Sequence, residues 1–203
     1  MSEKKKIIFA TTNEGKMKEI RMIMEDLNVE LLSLKDLNIK VDIDENGTTF
    51  EENAIIKAKA LCELTKEMTL ADDSGLEVDY MDKAPGVYSA RYLGEDTPYS
   101  IKNQTIIDNL KNAVGEESSA RFVCVIAAAF PDGRVITTRA TIEGYIGTEE
   151  RGFNGFGYDP LLYVPEYKMT TGEMDPEMKN KISHRGKALE LMKEKLRHEG
   201  FDC

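Results

Sequence analysis

The chain has 203 residues, 41% hydrophobic and 32% charged, which excludes intrinsic disorder and suits one folded domain over 1–203. A net charge of −10 excludes broad, sequence-independent contact with nucleic-acid phosphates, though one local basic pocket still suffices for a small anion. Three cysteines, Cys62, Cys124 and Cys203, have no paired spacing and suggest neither a disulfide framework nor a zinc site.

The amino terminus, Met-Ser-Glu-Lys-Lys-Lys, leads into only four apolar residues, too few for a secretory leader or a membrane span. A reducing, cytoplasmic setting without a membrane partner is expected. Ile7–Ala10 reads as a buried strand. Thr11-Thr12-Asn13-Glu14-Gly15-Lys16 is a polar loop, and Met17, Ile20, Met24 and Leu27 then recur at helical spacing. Strand, polar loop, helix aims backbone N–H groups and a positive dipole end at an anion. Lys16 adds a formal charge there, and Thr12 and Asn13 add donors. It is not a Walker A loop, because Met17 follows Gly15-Lys16 and Ala10 stands where the first glycine belongs. The plainer alternative is a capped helix start with Lys16 in water.

Val29–Leu34 reads as a second strand, and Val41–Gly47 concentrates acid around a turn. Thr49 and Glu52 form a capping-box signature at the start of a long helix. Its inner stripe is Ala54, Ile55, Ala58, Leu61, Cys62 and Thr65, with Lys57 and Lys59 on other faces. The stretch Leu70-Ala71-Asp72-Asp73-Ser74-Gly75-Leu76-Glu77-Val78 follows. It reads as a strand that surfaces at the two acids and turns through Ser74-Gly75. Adjacent strand residues point to opposite sides, so one carboxylate faces a cleft. Such a carboxylate is a hard oxygen ligand for Mg²⁺ or a base that takes a proton from water. The bland alternative is an Asx-turn that ends the strand. Asp44, Glu45 or Glu52 is the candidate second acid, since Mg²⁺ completes its shell with waters and substrate phosphates.

Pro85-Gly86 breaks the chain, and Arg91 between Tyr88 and Tyr92 suits a phosphate or an aromatic face. Thr97 as N-cap and Pro98 at the first helical position begin a helix to about Asn112. Arg121–Phe130, the turn Pro131-Asp132-Gly133 and Arg134–Glu143 form a hairpin covered on both faces. Glycines around Phe156, in Gly152–Pro160, let the backbone approach a flat ligand on which Phe156 stacks. Leu161–Val164 is a strand, Asp175-Pro176 caps a short helix carrying Lys179, and Ser183-His184-Arg185 begins the last helix. Lys179, His184, Arg185 and Lys187 gather positive charge where a helix dipole disfavours it, which makes sense beside an anion or an electron-rich carbonyl; the alternative is that these side chains splay into water.

Together these stretches resemble the inosine/xanthosine triphosphate pyrophosphatase family. The matching residues are Thr12-x-x-x-Lys16 around Asn13, Thr49-Phe50-x-Glu52-Asn53-Ala54, Ala71–Leu76 and Pro85–Arg91, then Gly155–Pro160 and Ile182–Leu189. Thr12 is the departure, standing where many relatives have glycine. The resemblance implies an α/β fold, a long mixed β-sheet flanked by helices, with two lobes around a central cleft. It implies a homodimer and Mg²⁺-dependent hydrolysis of deaminated purine nucleoside triphosphates (ITP, dITP, XTP) to monophosphate and pyrophosphate. Asp73 is then the general base or metal-side carboxylate, with Asp44 or Glu45 as further metal ligand. Thr11, Thr12, Asn13, Glu14, Gly15 and Lys16 cradle phosphates, and Ser74 contacts substrate. Phe156, Gly157, Tyr158 and Asp159 line base and ribose. Lys179, His184 and Arg185 read the base edge, where donors suit the keto oxygen at C6 and leave adenine's amine unpaired. Competing expectations are a nucleotide sensor without turnover and an enzyme that cuts at the γ-phosphate.

Overall fold

The first strand, β1 (Lys5–Phe9), buries Ile7, Ile8 and Phe9 because parallel neighbours flank it. These are β2 (Val29–Ser33), in register from Lys5 opposite Val29, and β3 (Thr69–Val78), which meets it at Ile8 opposite Thr69. The computed structural model describes residues 4–113 and 115–201. The first three residues and Cys203, on which the readings of the amino terminus and the cysteines partly rest, lie outside them. Beyond β3 come β4 (Ser119–Ala129), β5 (Val135–Ile146), β6 (Leu162–Val164) and β7 (Met169–Thr170), in the order β2-β1-β3-β4-β5-β6-β7. The β5–β6 and β6–β7 pairs are antiparallel, so the sheet is mixed. Its helices are α1 (Glu14–Ile23), α2 (Phe50–Thr65), α3 (Tyr99–Asn109), α4 (Pro176–Ile182) and α5 (His184–His198). Among the described residues no helix is long and apolar enough to cross a membrane.

The chain divides into two compact units. The first takes residues up to 73, 124–140 and from 185 onward. Its core joins Ile7 and Phe9 of β1, Met17 and Ile20 of α1, Ile126 of β4, and Ala188, Leu189, Met192 and Leu196 of α5. The second takes 74–123 and 141–184, with a core of Leu76, Val78, Ile106, Phe122, Tyr158, Leu161 and Met174. Both cores follow the apolar periodicity of their elements: period two along strands, three to four along helices.

Local departures from expectation have physical causes. β3 does not end at Asp72-Asp73; it continues through Ser74-Gly75 to Val78. β1 pairs with its start, at Thr69 and Leu70, and β4 is its other neighbour in the sheet; membership of the sheet outweighs the turn preference of Asp-Ser-Gly. α3 starts at Tyr99 with Pro98 as its N-cap, because the Thr97 hydroxyl turns back and donates to the Leu93 carbonyl at 2.7 Å. On α2 the buried face holds Phe50 and Asn53, while Ile55 and Thr65 are only half-buried. The capping box forms: Thr49 accepts from the Glu52 N–H, and Glu52 accepts from the Thr48 and Thr49 N–H groups. The hairpin turn closes with Phe130 N–H donating to Arg134 at 3.0 Å, and Phe122 through Phe130 are all buried. Cys62 and Cys124 are free thiols, and burial pushes Cys124 up to about 12.

Leu189 is fully buried in the first core, so Leu189→Ala is expected to lower stability by about 2–5 kcal/mol. Thr49→Ala, which removes only a cap, is expected to cost about 1 kcal/mol. Urea unfolding checks both, and the reverse ranking would contradict this division of labour.

Candidate active site

In the first unit, the loop after β1 sets the start of α1. Asn13 is its N-cap: its side-chain oxygen accepts from the Lys16 N–H at 3.0 Å, and its own N–H donates to Thr11 Oγ1 at 3.1 Å. Asn13 thus serves as an acceptor toward the helix, not only as the donor expected from sequence. Thr12, Asn13 and Glu14 are exposed, and Glu14 pairs with Lys35. The cap leaves Lys16 on the first turn, with Nζ 3.1 Å from Asp72 Oδ2.

Asp72 is 1% exposed. Its carboxylate also meets Arg185 Nη2 at 3.4 Å, and Arg185 Nη1 bonds Glu19 of α1 at 2.6 Å. Burial works to raise the Asp72 carboxyl, but Lys16, Arg185 and Lys57 together overcome it and hold it well below the usual carboxylate range. Asp72 and Glu19 in turn keep the buried Arg185 guanidinium protonated against the pull of burial.

Asp73, the next residue, behaves oppositely. Lys57 Nζ stands 3.9 Å from its Oδ1 and 3.2 Å from Glu45 Oε2. Burial pushes the Asp73 carboxyl up, Lys57 and Asn53 pull it back, and the charges on Asp72 and Glu45 raise it again, to about 6. Two consecutive carboxylates on one strand thus differ in proton affinity. One is a permanent anion and the other is poised to exchange a proton near neutrality, as a general base requires.

Lys57 and Asn53 were not singled out from the sequence. The signal was there: they lie four apart on α2, so they share a face. Asn53 is fully buried and accepts from the Gly47 N–H at 2.8 Å, which fixes the acidic loop carrying Glu45 to α2. Lys57 stays charged despite burial, because Asp72, Asp73 and Glu45 surround it. Asp44 is exposed one residue before Glu45, and Glu52 is engaged in capping. Among the described residues, no three His, Cys, Asp or Glu side chains form a ready ligand group.

In the second unit, Ser74 is half-buried on β3. Gly155 has φ +78°, and a β-carbon there would lie 2.1 Å from Asp159 Oδ2. That oxygen accepts from the Phe156 N–H at 2.8 Å and from Lys179 Nζ at 2.7 Å. Asp159 Oδ1 accepts from Thr171 Oγ1 at 3.0 Å. Lys179 Nζ also sits 5.1 Å from the Phe156 ring centroid. Phe156, Asp159 and Lys179 are therefore brought together. Tyr158 is buried and donates its hydroxyl to the Ser89 carbonyl at 2.6 Å. His184 stacks on Phe122, with 4.9 Å between centroids. Arg91 lies over Tyr88 and Ser89 Oγ accepts from the Leu76 N–H, so the Pro85–Arg91 stretch is anchored to β3.

The sequence model of the Ham1 family matches residues 7–195. The chain belongs to the Ham1 family. A relative from Desulforamulus reducens, named dITP/XTP pyrophosphatase, is 47% identical over 191 residues, covering 94% of this chain and 95% of the relative. One of the same name from Clostridium perfringens is 46% identical, covering 95% and 98%. A solved HAM1 protein from Coxiella burnetii superposes with a TM-score of 0.87 at 39% identity, covering 96% of this chain and 99% of that one. The Staphylococcus aureus Ham1 protein gives 0.86 at 37%, covering 96% and 100%. These likenesses establish the Ham1 fold of helices around a mixed sheet.

The folded Asp73 carboxyl binds a proton more tightly than in the unfolded chain, 6 against 3.8. Stability therefore falls as pH rises through that window and is lowest above it, by on the order of 2–3 kcal/mol. Asp73→Asn is expected to raise the melting temperature of the metal-free protein by roughly 5 °C at pH 8, and by little at pH 4. Thermal unfolding across pH checks this; a gain that does not depend on pH would contradict it.

Proposed function

We propose that this Ham1 family member hydrolyses deaminated purine nucleoside triphosphates (ITP, dITP and XTP) to the monophosphate and pyrophosphate, keeping them out of nucleic acids. The observation that carries the reading is the split between neighbouring carboxylates: Asp72 held ionised by Lys16 and Arg185, Asp73 raised to about 6. The relatives' printed name, dITP/XTP pyrophosphatase, agrees with it. On this reading residues 1–203 act as one catalytic domain, in a cytoplasmic homodimer with neither nucleic acid nor membrane as partner.

The donors suit Mg²⁺. Asp73 and Glu45 offer hard oxygens, and both already face one positive charge, Lys57 Nζ, at 3.9 and 3.2 Å. Asp44, one residue earlier, is the alternative to Glu45. When bound, Mg²⁺ supplies charge neutralisation for the triphosphate. The chain's own residues do the rest. Asp73 takes the proton of the attacking water. Thr11 through Lys16, at the start of α1, offer N–H donors and an ammonium to phosphate oxygens. Asp72 fixes Lys16 in place, so its charge needs no reorganisation when pyrophosphate leaves. Ser74, next to Asp73, contacts substrate.

Phe156 offers the purine a stacking face, with Gly157, Tyr158 and Asp159 around base and ribose. Lys179, oriented by Asp159, together with His184, reads the base edge, while Arg185, expected there from the sequence, has its terminal nitrogens on Glu19 and Asp72. Donors there satisfy the keto oxygen of hypoxanthine or xanthine, whereas adenine's amine leaves them unpaired, a large penalty in a buried site.

Purified protein with Mg²⁺ is expected to release pyrophosphate from ITP, dITP and XTP far faster than from ATP. Asp73→Asn is expected to lower kcat by about 10²–10⁴ while nucleotide binding stays measurable. Orthophosphate as the first product, equal rates on ATP, or full activity in the variant would each overturn the reading.

A further inference from the structure

One face of α3 is turned toward the glycine-aromatic loop of its own unit. Tyr99, Lys102 and Asn103, spaced i, i+3, i+4, share it. The Tyr99 ring meets Tyr158 edge-on, 5.1 Å between centroids at 86°. Gly157 packs on the same ring: a β-carbon there would lie 3.5 Å from Tyr99 Cε1. Lys102 donates to the Ala90 carbonyl at 2.7 Å, next to Ser89, whose carbonyl takes the Tyr158 hydroxyl. Asn103 is 1% exposed, and its Nδ2 donates to the Gly157 carbonyl at 3.3 Å and to Glu150 Oε1.

Two further facts single out Asn103. Its Oδ1 is buried and has no hydrogen-bond partner among the described residues, so only the amide nitrogen of this side chain is used, and both of its bonds go to Gly157 and Glu150. And the carbonyl it holds belongs to a residue at φ +65°, between Phe156 and Tyr158, in a loop where Gly155 stands at φ +78°. Such a backbone has more accessible conformations than any other, so its shape must be imposed from outside. Asp159 and Lys179 impose it on the Phe156 side, and Asn103 imposes it on the Gly157 side.

We propose that Asn103 is a positioning residue for base recognition: it clamps the Gly157 carbonyl and so fixes the Phe156 ring for stacking, with Glu150 holding the Asn103 amide in turn. This rests on the reading that Phe156–Asp159 receive the base. Its two partners, Gly157 and Glu150, are assigned neither to the phosphates nor to the attacking water, so it governs substrate binding and not the chemical step.

Steady-state hydrolysis of ITP by Asn103→Leu, Glu150→Gln and Phe156→Ala, together with thermal unfolding of each, tests it. Asn103→Leu is expected to raise KM about tenfold with kcat within about twofold and little change in melting temperature. Glu150→Gln, which keeps the Gly157 bond but loses the charge on its partner, is expected to raise KM by a smaller factor of about two to three. An unchanged KM in Asn103→Leu, or a fall in kcat at constant KM, overturns the proposal. If Asn103→Leu does not fold, Glu150→Gln decides, and an unchanged KM there overturns it. Phe156→Ala separates the two layers. A raised KM in Phe156→Ala with none in Asn103→Leu sinks the clamp alone. No change in Phe156→Ala sinks the base-binding reading and the clamp with it.

Discussion

A fully buried carboxylate, Asp72, faces Lys16 from α1 and Arg185 from α5, and both the fold and the chemistry of the first unit lean on that contact. Removing an anion from water is expensive, and only several cations together make it tolerable. The arrangement ties the amino-terminal helix, the central strand and the last helix to one point. It also has an electrostatic consequence one residue later. A permanent negative charge on Asp72, with burial and Glu45, keeps the neighbouring Asp73 carboxyl from ionising as readily as a surface aspartate would. Strand alternation makes the division possible, because successive side chains face different surroundings.

Lysine held by a buried or half-buried carboxylate recurs through the molecule. Lys16 goes with Asp72, Lys57 with Asp73 and Glu45, and in the second unit Lys179 goes with Asp159. In each case the acid orients a cation that would otherwise wander on a flexible four-carbon stem. Asp159 shows how much backbone such an acid can organise. It accepts from the Phe156 N–H, Lys179 and Thr171, and it leaves room at residue 155 only for glycine. On the proposed reading, a chain with net charge −10 handles an anionic substrate through a few fixed cations, not through a basic surface.

Much of this was legible in the sequence. Apolar spacing located the strands before Thr11 and before Pro165 and the stripe Ala188, Leu189, Met192 and Leu196. The Thr49–Glu52 pair announced the cap, and Asp175-Pro176 the start of α4. The acid pair stood out as a site, but its surroundings did not. Asp-Ser-Gly is strong turn chemistry, and only its place in the sheet keeps β3 extended through it. Lys57 was legible only as lying off the inner stripe of α2, because the charges that make its burial tolerable come from β3 and the acidic loop. Asn103 gave no signal at all, since an asparagine inside a helix means nothing until its two acceptors are placed beside it.

The most direct measurement is a carbon-13 NMR titration of the aspartate carboxyls in the metal-free protein, with Asp72 and Asp73 assigned by substitution. One side chain is expected to change protonation near pH 6, and its neighbour to stay ionised down to the acid limit of folding. Two carboxyls titrating together near pH 4 would contradict the division between a fixed anion and a working base on which the proposed chemistry stands.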